Sequence, residues 1–164
     1  MCSSDLDYKT CTLVQNFPKQ DKRLSIAPRS FPPEKTPTLI YLGNISAIRG
    51  VHAYLELARR LKEKQRPFRM VLIGEHPVAL HQKLQEKLKT WQLTDCVELH
   101  NRMDWLEAMQ KVSQATIGLC LLQPIPNYTT CLATKILEYM MVGTPVLASN
   151  FEIWRPFVDR KSVV

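Results

Sequence analysis

The chain has 164 residues, 45% of them apolar and 23% charged, with a formal net charge of +7. These values describe a single globular domain with enough chain for one core, and they exclude a disordered or fibrous protein. No run of 18 apolar residues is present, so nothing in the sequence reads as a membrane-spanning helix. Met1 to Asp7 has neither a basic start nor an apolar centre, which argues against a secretory signal. The five cysteines, Cys2, Cys11, Cys96, Cys120 and Cys131, form no C-x-x-C pair. An odd number at such spacings speaks against a disulfide framework or a zinc site and for a reducing, cytoplasmic setting.

The first 37 residues divide into a strand candidate, Lys9 to Val14, and a stretch rich in proline (Pro18, Pro28, Pro32, Pro33, Pro37) that reads as an interdomain linker opening at Asn16-Phe17-Pro18. From Thr38 onward, short apolar runs alternate with amphipathic stretches. Thr38 to Leu42 predicts a buried strand ending at Gly43. Val51, Tyr54, Leu55, Ala58 and Leu61 recur at helical spacing and predict a helix from about Val51 to Lys64. Met70 to Ile73 is a second strand that also ends at a glycine, Gly74. Leu80, Leu84, Leu88 and Trp91 mark the next helix, and Val97 to Leu99 a short third strand. Asp104 is placed to cap a helix carrying Leu106, Met109 and Val112. Thr116 to Leu122 is the most apolar strand, with Cys120 as a buried thiol within it. A loop holding Pro124, Pro126 and Asn127 leads to a helix from about Ala133 to Met141, in which Met140 and Met141 read as core. Pro145 to Ser149 is the fifth strand, and a last helix is expected from Phe151.

Continuous apolar strands alternating with helices predict a parallel sheet covered on both faces, the doubly wound Rossmann-like α/β fold. Ligands of such sheets sit at the carboxyl ends of the strands. That rim gathers Gly43-Asn44, Gly74-Glu75, His100-Asn101 and the loop from Leu122 to Leu132. The expected division is a linker region over 1–37, a binding domain over 38–160 and a short tail over 161–164. Met1 to Leu6 and Lys161 to Val164 fit no neighbouring pattern, and both ends look cut short.

The charge of +7 has three general explanations: nucleic acid, an anionic membrane, or phosphate-bearing small molecules. Arg59, Arg60, Lys62, Lys64 and Arg66 share one helical stretch, and Lys83, Lys87 and Lys89 another, with Glu56, Glu63 and Glu86 interleaved as on solvated faces. Solubility is therefore the leading reading, and peripheral contact with an anionic membrane the lesser one. No aromatic-basic interleaving of the nucleic-acid kind occurs, so no nucleic-acid partner is expected.

Two stretches resemble a known family. Tyr41-Leu42-Gly43-Asn44-Ile45-Ser46-Ala47-Ile48-Arg49-Gly50 has a strand, a glycine turn and a basic residue before a helix, and Thr134-Lys135-Ile136-Leu137-Glu138-Tyr139-Met140-Met141-Val142-Gly143-Thr144-Pro145 carries a lysine and a glutamate one turn apart. Together they are similar to the C-terminal, donor-binding half of the retaining GT-B glycosyltransferases, over roughly Thr36 to Asp159. The resemblance implies a nucleotide-sugar partner, UDP- or GDP-linked, with no metal and no other cofactor. Arg49 would grip the diphosphate, Gly43 and Gly50 would admit the backbone closely, and Glu138 would accept the ribose hydroxyls. Lys135 would touch phosphate or pair with Glu138. Asn44 stands where relatives often carry another base, and Thr130 where many carry a second acid. Gly74, His100 and Asn101 would form the base side of the rim.

A full enzyme of this kind transfers a hexosyl group to a glycan or lipid-linked acceptor, as in polysaccharide biosynthesis. The acceptor, a lipid-linked or polysaccharide intermediate at the inner membrane face, would be held by an N-terminal domain that is missing from this chain. No catalytic residue is assigned to this half, which is expected to be inactive alone. His76, His81 and His100 have no acid at an evident spacing. The rival readings are a nucleotide-sugar epimerase of GT-B fold and a non-catalytic nucleotide-binding module. A receiver domain is excluded because Leu42-Gly43-Asn44 offers no acids, and a dinucleotide-dependent dehydrogenase because no G-x-G-x-x-G follows the first strand.

Overall fold

The computed structural model describes residues 18, 21–24 and 36–158. The strand expected over Lys9 to Val14, most of the linker and the tail over 161–164 lie outside the described residues. Five strands, β1 (Thr38–Leu42), β2 (Arg69–Ile73), β3 (Val97–His100), β4 (Ile117–Cys120) and β5 (Val146–Ala148), form one sheet in the order β3-β2-β1-β4-β5. Every neighbouring pair is parallel. The fold is thus the expected doubly wound α/β sheet, and its strand order reverses between β1 and β4.

Alternation along each strand divides the core in two. Leu39 and Tyr41 of β1, Met70 and Leu72 of β2, and Leu119 of β4 face one side. There they meet Tyr54, Leu55 and Ala58 of α1 (Val51–Glu63) and Leu84 and Leu88 of α2 (Val78–Thr90). Ile40, Val71, Ile73 and Cys120 face the other side, against Met109 and Val112 of α3 (Trp105–Gln114) and Ile136 and Tyr139 of α5 (Thr134–Met141). Burial raises the Cys120 thiol to about 12, which leaves it an inert packing group.

Two tyrosines fix these helices to the ends of the central strands. The Tyr139 hydroxyl accepts the Leu42 amide at 2.8 Å and lies 3.5 Å from the Leu119 carbonyl. Its ring occupies the space over Gly118, where an added Cβ would overlap it. On the opposite face, Tyr54 accepts the Leu121 amide at 3.2 Å and packs on Tyr41 with ring centroids 4.8 Å apart. Gly50, the residue before α1, has φ 85° and sits so close to the Leu121 carbonyl that no side chain fits between them. At the strand ends Gly43 N–H bonds the Ile73 carbonyl at 2.9 Å and Gly74 N–H the His100 carbonyl at 3.0 Å. Gly74, at φ 158°, carries the Gly43 carbonyl where a Cβ would be.

α1 begins at Val51, as expected, and Arg49 ends a short 3₁₀ turn, Ala47–Arg49, that the left-handed backbone of Gly50 separates from it. Three expectations are corrected. The proline loop contains a single helical turn, α4 (Pro126–Thr129), because Pro126 at its start fixes a helical φ. The last helix is, among the described residues, only a 3₁₀ turn over Glu152–Trp154, anchored by the buried Trp154 indole on the Cys131 carbonyl at 2.8 Å. Met140 is 48% exposed, since Ile136 and Tyr139 already fill the inward stripe of α5.

Asp104 accepts the amides of Leu106 (2.9 Å) and Glu107 (3.4 Å), the expected N-cap of α3. The basic stretch of α1 is largely paired: Arg59 with Glu56 and Glu63, Arg60 with Glu56, and Lys62 with Asp95. Such exposed pairs add little stability, and they mute the charge of this face.

Tyr139→Phe leaves the Leu42 amide without its acceptor and is expected to cost about 1–3 kcal/mol, the penalty of an unsatisfied buried donor. In urea unfolding the midpoint should fall while the slope stays unchanged.

Candidate functional site

A cavity of about 410 Å³ opens at the carboxyl ends of the strands, beside the reversal between β1 and β4. Leu42, Gly43 and Asn44 line it from β1, and Ile73, Gly74 and Glu75 from β2. Arg102, Met103 and Trp105 come from the loop between β3 and α3, and Thr134, Lys135 and Glu138 from α5. Arg49 reaches it from the 3₁₀ turn. Parallel strands with glycine exits create the floor, because side chains at 43 and 74 would fill the space in which the strand ends cross.

Lys135 is the unusual member. It is only 8% exposed, and its ammonium lies 5.2 Å from the centre of the Tyr41 ring. An ideal Cβ on Gly43 would stand 3.1 Å from Lys135 Nζ, so a larger residue at 43 would press on the amine. Burial, with Arg49 nearby as a further cause, holds the Lys135 amine below the ordinary lysine value. No ion pair within 4.0 Å joins Lys135 to Glu138 among the described residues, which removes the pairing that sequence spacing allowed. Residues one turn apart share a face, but the lysine stem runs inward over Gly43.

The first turn of α5 adds to the positive field. Ala133 precedes it with no capping side chain, so the amides of this turn are free of side-chain acceptors. The cavity therefore combines two guanidiniums, Arg49 and Arg102, a buried amine and a helix N-terminus with two carboxylates, Glu75 and Glu138. Such an arrangement suits a polyanion carrying a hydroxylated group. Among the described residues no cluster of three or more His, Cys, Asp or Glu side chains is placed to hold a metal ion. No helix among them is long and apolar enough to cross a membrane.

Of the residues singled out in the sequence, Gly43, Asn44, Gly74, Arg49, Lys135 and Glu138 meet in this cavity. Gly50, Thr130, His100 and Asn101 do not line it. Gly50 serves the packing of α1 on Leu121, and the Thr130 hydroxyl bonds the Pro126 carbonyl at 2.7 Å. His100 Nε2 lies 3.0 Å from Glu98 Oε2, which also receives Arg69 at 2.6 Å through its other oxygen. Two residues apart on a strand put both side chains on one face, so His100 does have an acid partner at the outer edge of the sheet. His76 and His81 pair with each other at 2.8 Å. Sequence reasoning missed Arg102, Met103 and Trp105. The available signal was a large aromatic, 37% exposed, directly after the N-cap Asp104 on the rim side of α3.

Comparison with solved structures places this half-sheet among GT-B proteins. The C-terminal domain of a glycosyl transferase group 1 family protein (LpcC) from Francisella tularensis is 19% identical, with a TM-score of 0.62 over 80% of this chain and 70% of that one. Sucrose-phosphate synthase from Thermosynechococcus elongatus is 19% identical, with a TM-score of 0.61 over 75% of this chain and 30% of that one. Anabaena HepE, solved with UDP and glucose, is 16% identical, with a TM-score of 0.56 over 71% and 30%. The chain thus spans about a third or less of the whole enzymes it matches. No curated protein sequence matches it. The family profile described as glycosyl transferases group 1 matches residues 36–161, and the chain belongs to that family.

Proposed function

We propose that this domain binds the nucleotide-sugar donor of a hexosyltransferase, which moves the sugar to a glycan or lipid-linked acceptor with retention of configuration and without a metal. The observation that carries this reading is the convergence of Arg49, Lys135 and the uncapped start of α5 on one cavity at the carboxyl ends of β1 and β2. Arg49 and the Lys135 ammonium face the diphosphate, whose charge grows as the glycosidic bond breaks. Glu138 accepts the ribose hydroxyls from its position on α5. The base, uracil or guanine, lies toward Arg102 and Trp105, an aromatic face and a guanidinium suited to either ring. HepE, crystallised with UDP and glucose, supports a uridine donor by likeness of fold. An N-terminal domain would hold the acceptor. The protein would work in the cytoplasm, with peripheral contact at the inner membrane face.

Calorimetric titration with UDP and with GDP tests the reading. The wild-type chain should bind one of them saturably, and Arg49→Ala and Glu138→Ala should each weaken it by about tenfold to a hundredfold, the loss of one charge-assisted hydrogen bond. A folded wild type that binds neither nucleotide would remove the donor site.

Lys135 yields a separate expectation about stability. Its folded value lies below the unfolded one, so the folded state releases its proton first. The penalty of holding it charged is full below the folded value and disappears as pH rises through the unfolded value of about 10.4. Lys135→Met should therefore melt about 2–4 °C higher than wild type near neutrality, the shift of roughly 1 kcal/mol in a domain of this size. The gap should narrow toward pH 10, while nucleotide binding is lost at every pH. Thermal melts of both proteins across pH check this.

A further inference from the structure

The exit of β2, Gly74-Glu75-His76-Pro77, carries an imidazole that meets a second one, His81, early in α2. His76 Nδ1 lies 2.8 Å from the Gly74 carbonyl oxygen, and His76 Nε2 lies 2.8 Å from His81 Nδ1. The ring planes are within 16° of parallel and their centres 5.1 Å apart, so the rings meet through these nitrogens and not face to face.

These contacts fix the protons. A carbonyl oxygen only accepts, so His76 Nδ1 carries a hydrogen. In the neutral ring Nε2 is then a lone pair, and His81 Nδ1 donates to it. A third proton fits on His81 Nε2 and leaves both bonds intact. A fourth has to sit on His76 Nε2, where it faces the hydrogen of His81 Nδ1, and the contact is lost. The pair is closed when neutral or singly charged, and open when doubly charged.

The contact braces the seam between two strand exits. The Glu75 carbonyl accepts the Ile45 amide at 2.9 Å, and the Gly43 carbonyl lies against Gly74 where a Cβ would be. Asn44 and Arg49 continue from that seam, and with Glu75 they line the cavity at the strand ends. The groups facing the pair are Arg49 from the 3₁₀ turn, Tyr128 from α4 and Glu75 from the β2 exit, all on the wall of a second cavity with His76. On α2 the residues one turn from His81 are Pro77, Val78, Leu84 and Gln85, none of them charged, while Lys83 and Glu86 are exposed.

We propose that His76 and His81 form a proton-operated latch. Closed, it holds the β2 exit against the β1 exit and keeps Asn44 and Arg49 in place; double protonation in mild acid releases it. Imidazole is the side chain whose charge ordinarily changes between about pH 5 and 8, which suits it to such a switch. The latch is independent of what the cavity binds, and only the loss of affinity that follows its opening rests on the donor reading.

Two variants and two readouts test it, each from about pH 7.5 to about pH 5. Hydrogen exchange at the Ile45 amide is followed by NMR in the ligand-free chain, and UDP-glucose and GDP-mannose are titrated by calorimetry. The phosphates of these probes are diesters, without the monoester proton that titrates near pH 6, so the charge of the probe stays constant. His81→Asn puts an amide N–H at the place of Nδ1 and takes up no proton, while His81→Leu removes the donor. In wild type, Ile45 protection, corrected for the intrinsic pH dependence of exchange, should fall about tenfold in acid. The Asn variant should stay protected throughout, and the Leu variant should stand at the lower, acid level at every pH. The sugar nucleotide that binds at the higher pH should weaken in parallel, in wild type alone. The latch is overturned if wild type and the Asn variant lose protection alike, or if neither changes. Acid-sensitive protection with unchanged affinity would overturn the coupling to the site. The same protection change without sugar-nucleotide binding at any pH would uphold the latch and remove the donor reading instead.

Discussion

The geometry of the site hangs on one hydrogen bond, from the Leu42 amide at the end of β1 to the Tyr139 hydroxyl on α5. A strand that stops in the middle of a sheet exposes its last amide just where the chain turns away, and that amide must find an acceptor. Tyr139 supplies it from one turn beyond Lys135, so satisfying the strand end also sets the height of the helix that carries Lys135 and Glu138. The ring can lie flat on β4 only because residue 118 is glycine. Tyr54 does the same for Leu121 from the opposite face, and there Gly50 permits the close approach. The rim is thus a product of packing on both faces of the sheet.

Against that frame stands an electrostatic cost. A cation that is more than nine-tenths buried, beside a second cation and, among the described residues, without an ion-pair partner, opposes folding of the free domain. The Tyr41 ring face offsets part of it. A diphosphate arriving at Arg49 and Lys135 would neutralise both charges in a place where water screens little. Stability given up in the free domain would then return as affinity for such a ligand, the usual relation between a strained site and its function.

Much of the fold was legible in the sequence because its causes are local and periodic. The apolar runs at Thr38 to Leu42, Met70 to Ile73 and Thr116 to Leu122 read as buried strands by their shortness and glycine or loop exits, and Asp104 announced α3 by its capping chemistry. Of the site, Gly43, Arg49, Lys135 and Glu138 were readable through their two motifs, and they do meet in one cavity. Long-range choices were not readable. Spacing allows Lys135 to reach Glu138, and only the inward path over Gly43 decides against it. His100 looked rim-facing because it ends a strand, but the edge position of β3 lets Glu98 and Arg69 hold it outside the cavity. Trp105 passed unnoticed because a single aromatic at a helix start has no period to betray it.

Arg49 lines two adjoining cavities at this rim, the one that holds Lys135 and Glu138 and a second of about 520 Å³ bounded by Ser46, Ile48, His76 and Tyr128. A guanidinium between two adjoining spaces can offer donors to both, so whatever fills one alters the hydrogen bonds left for the other. Lys135, Arg102 and the start of α5 belong to the first cavity alone, so an anion there would meet more positive charge than one in the second.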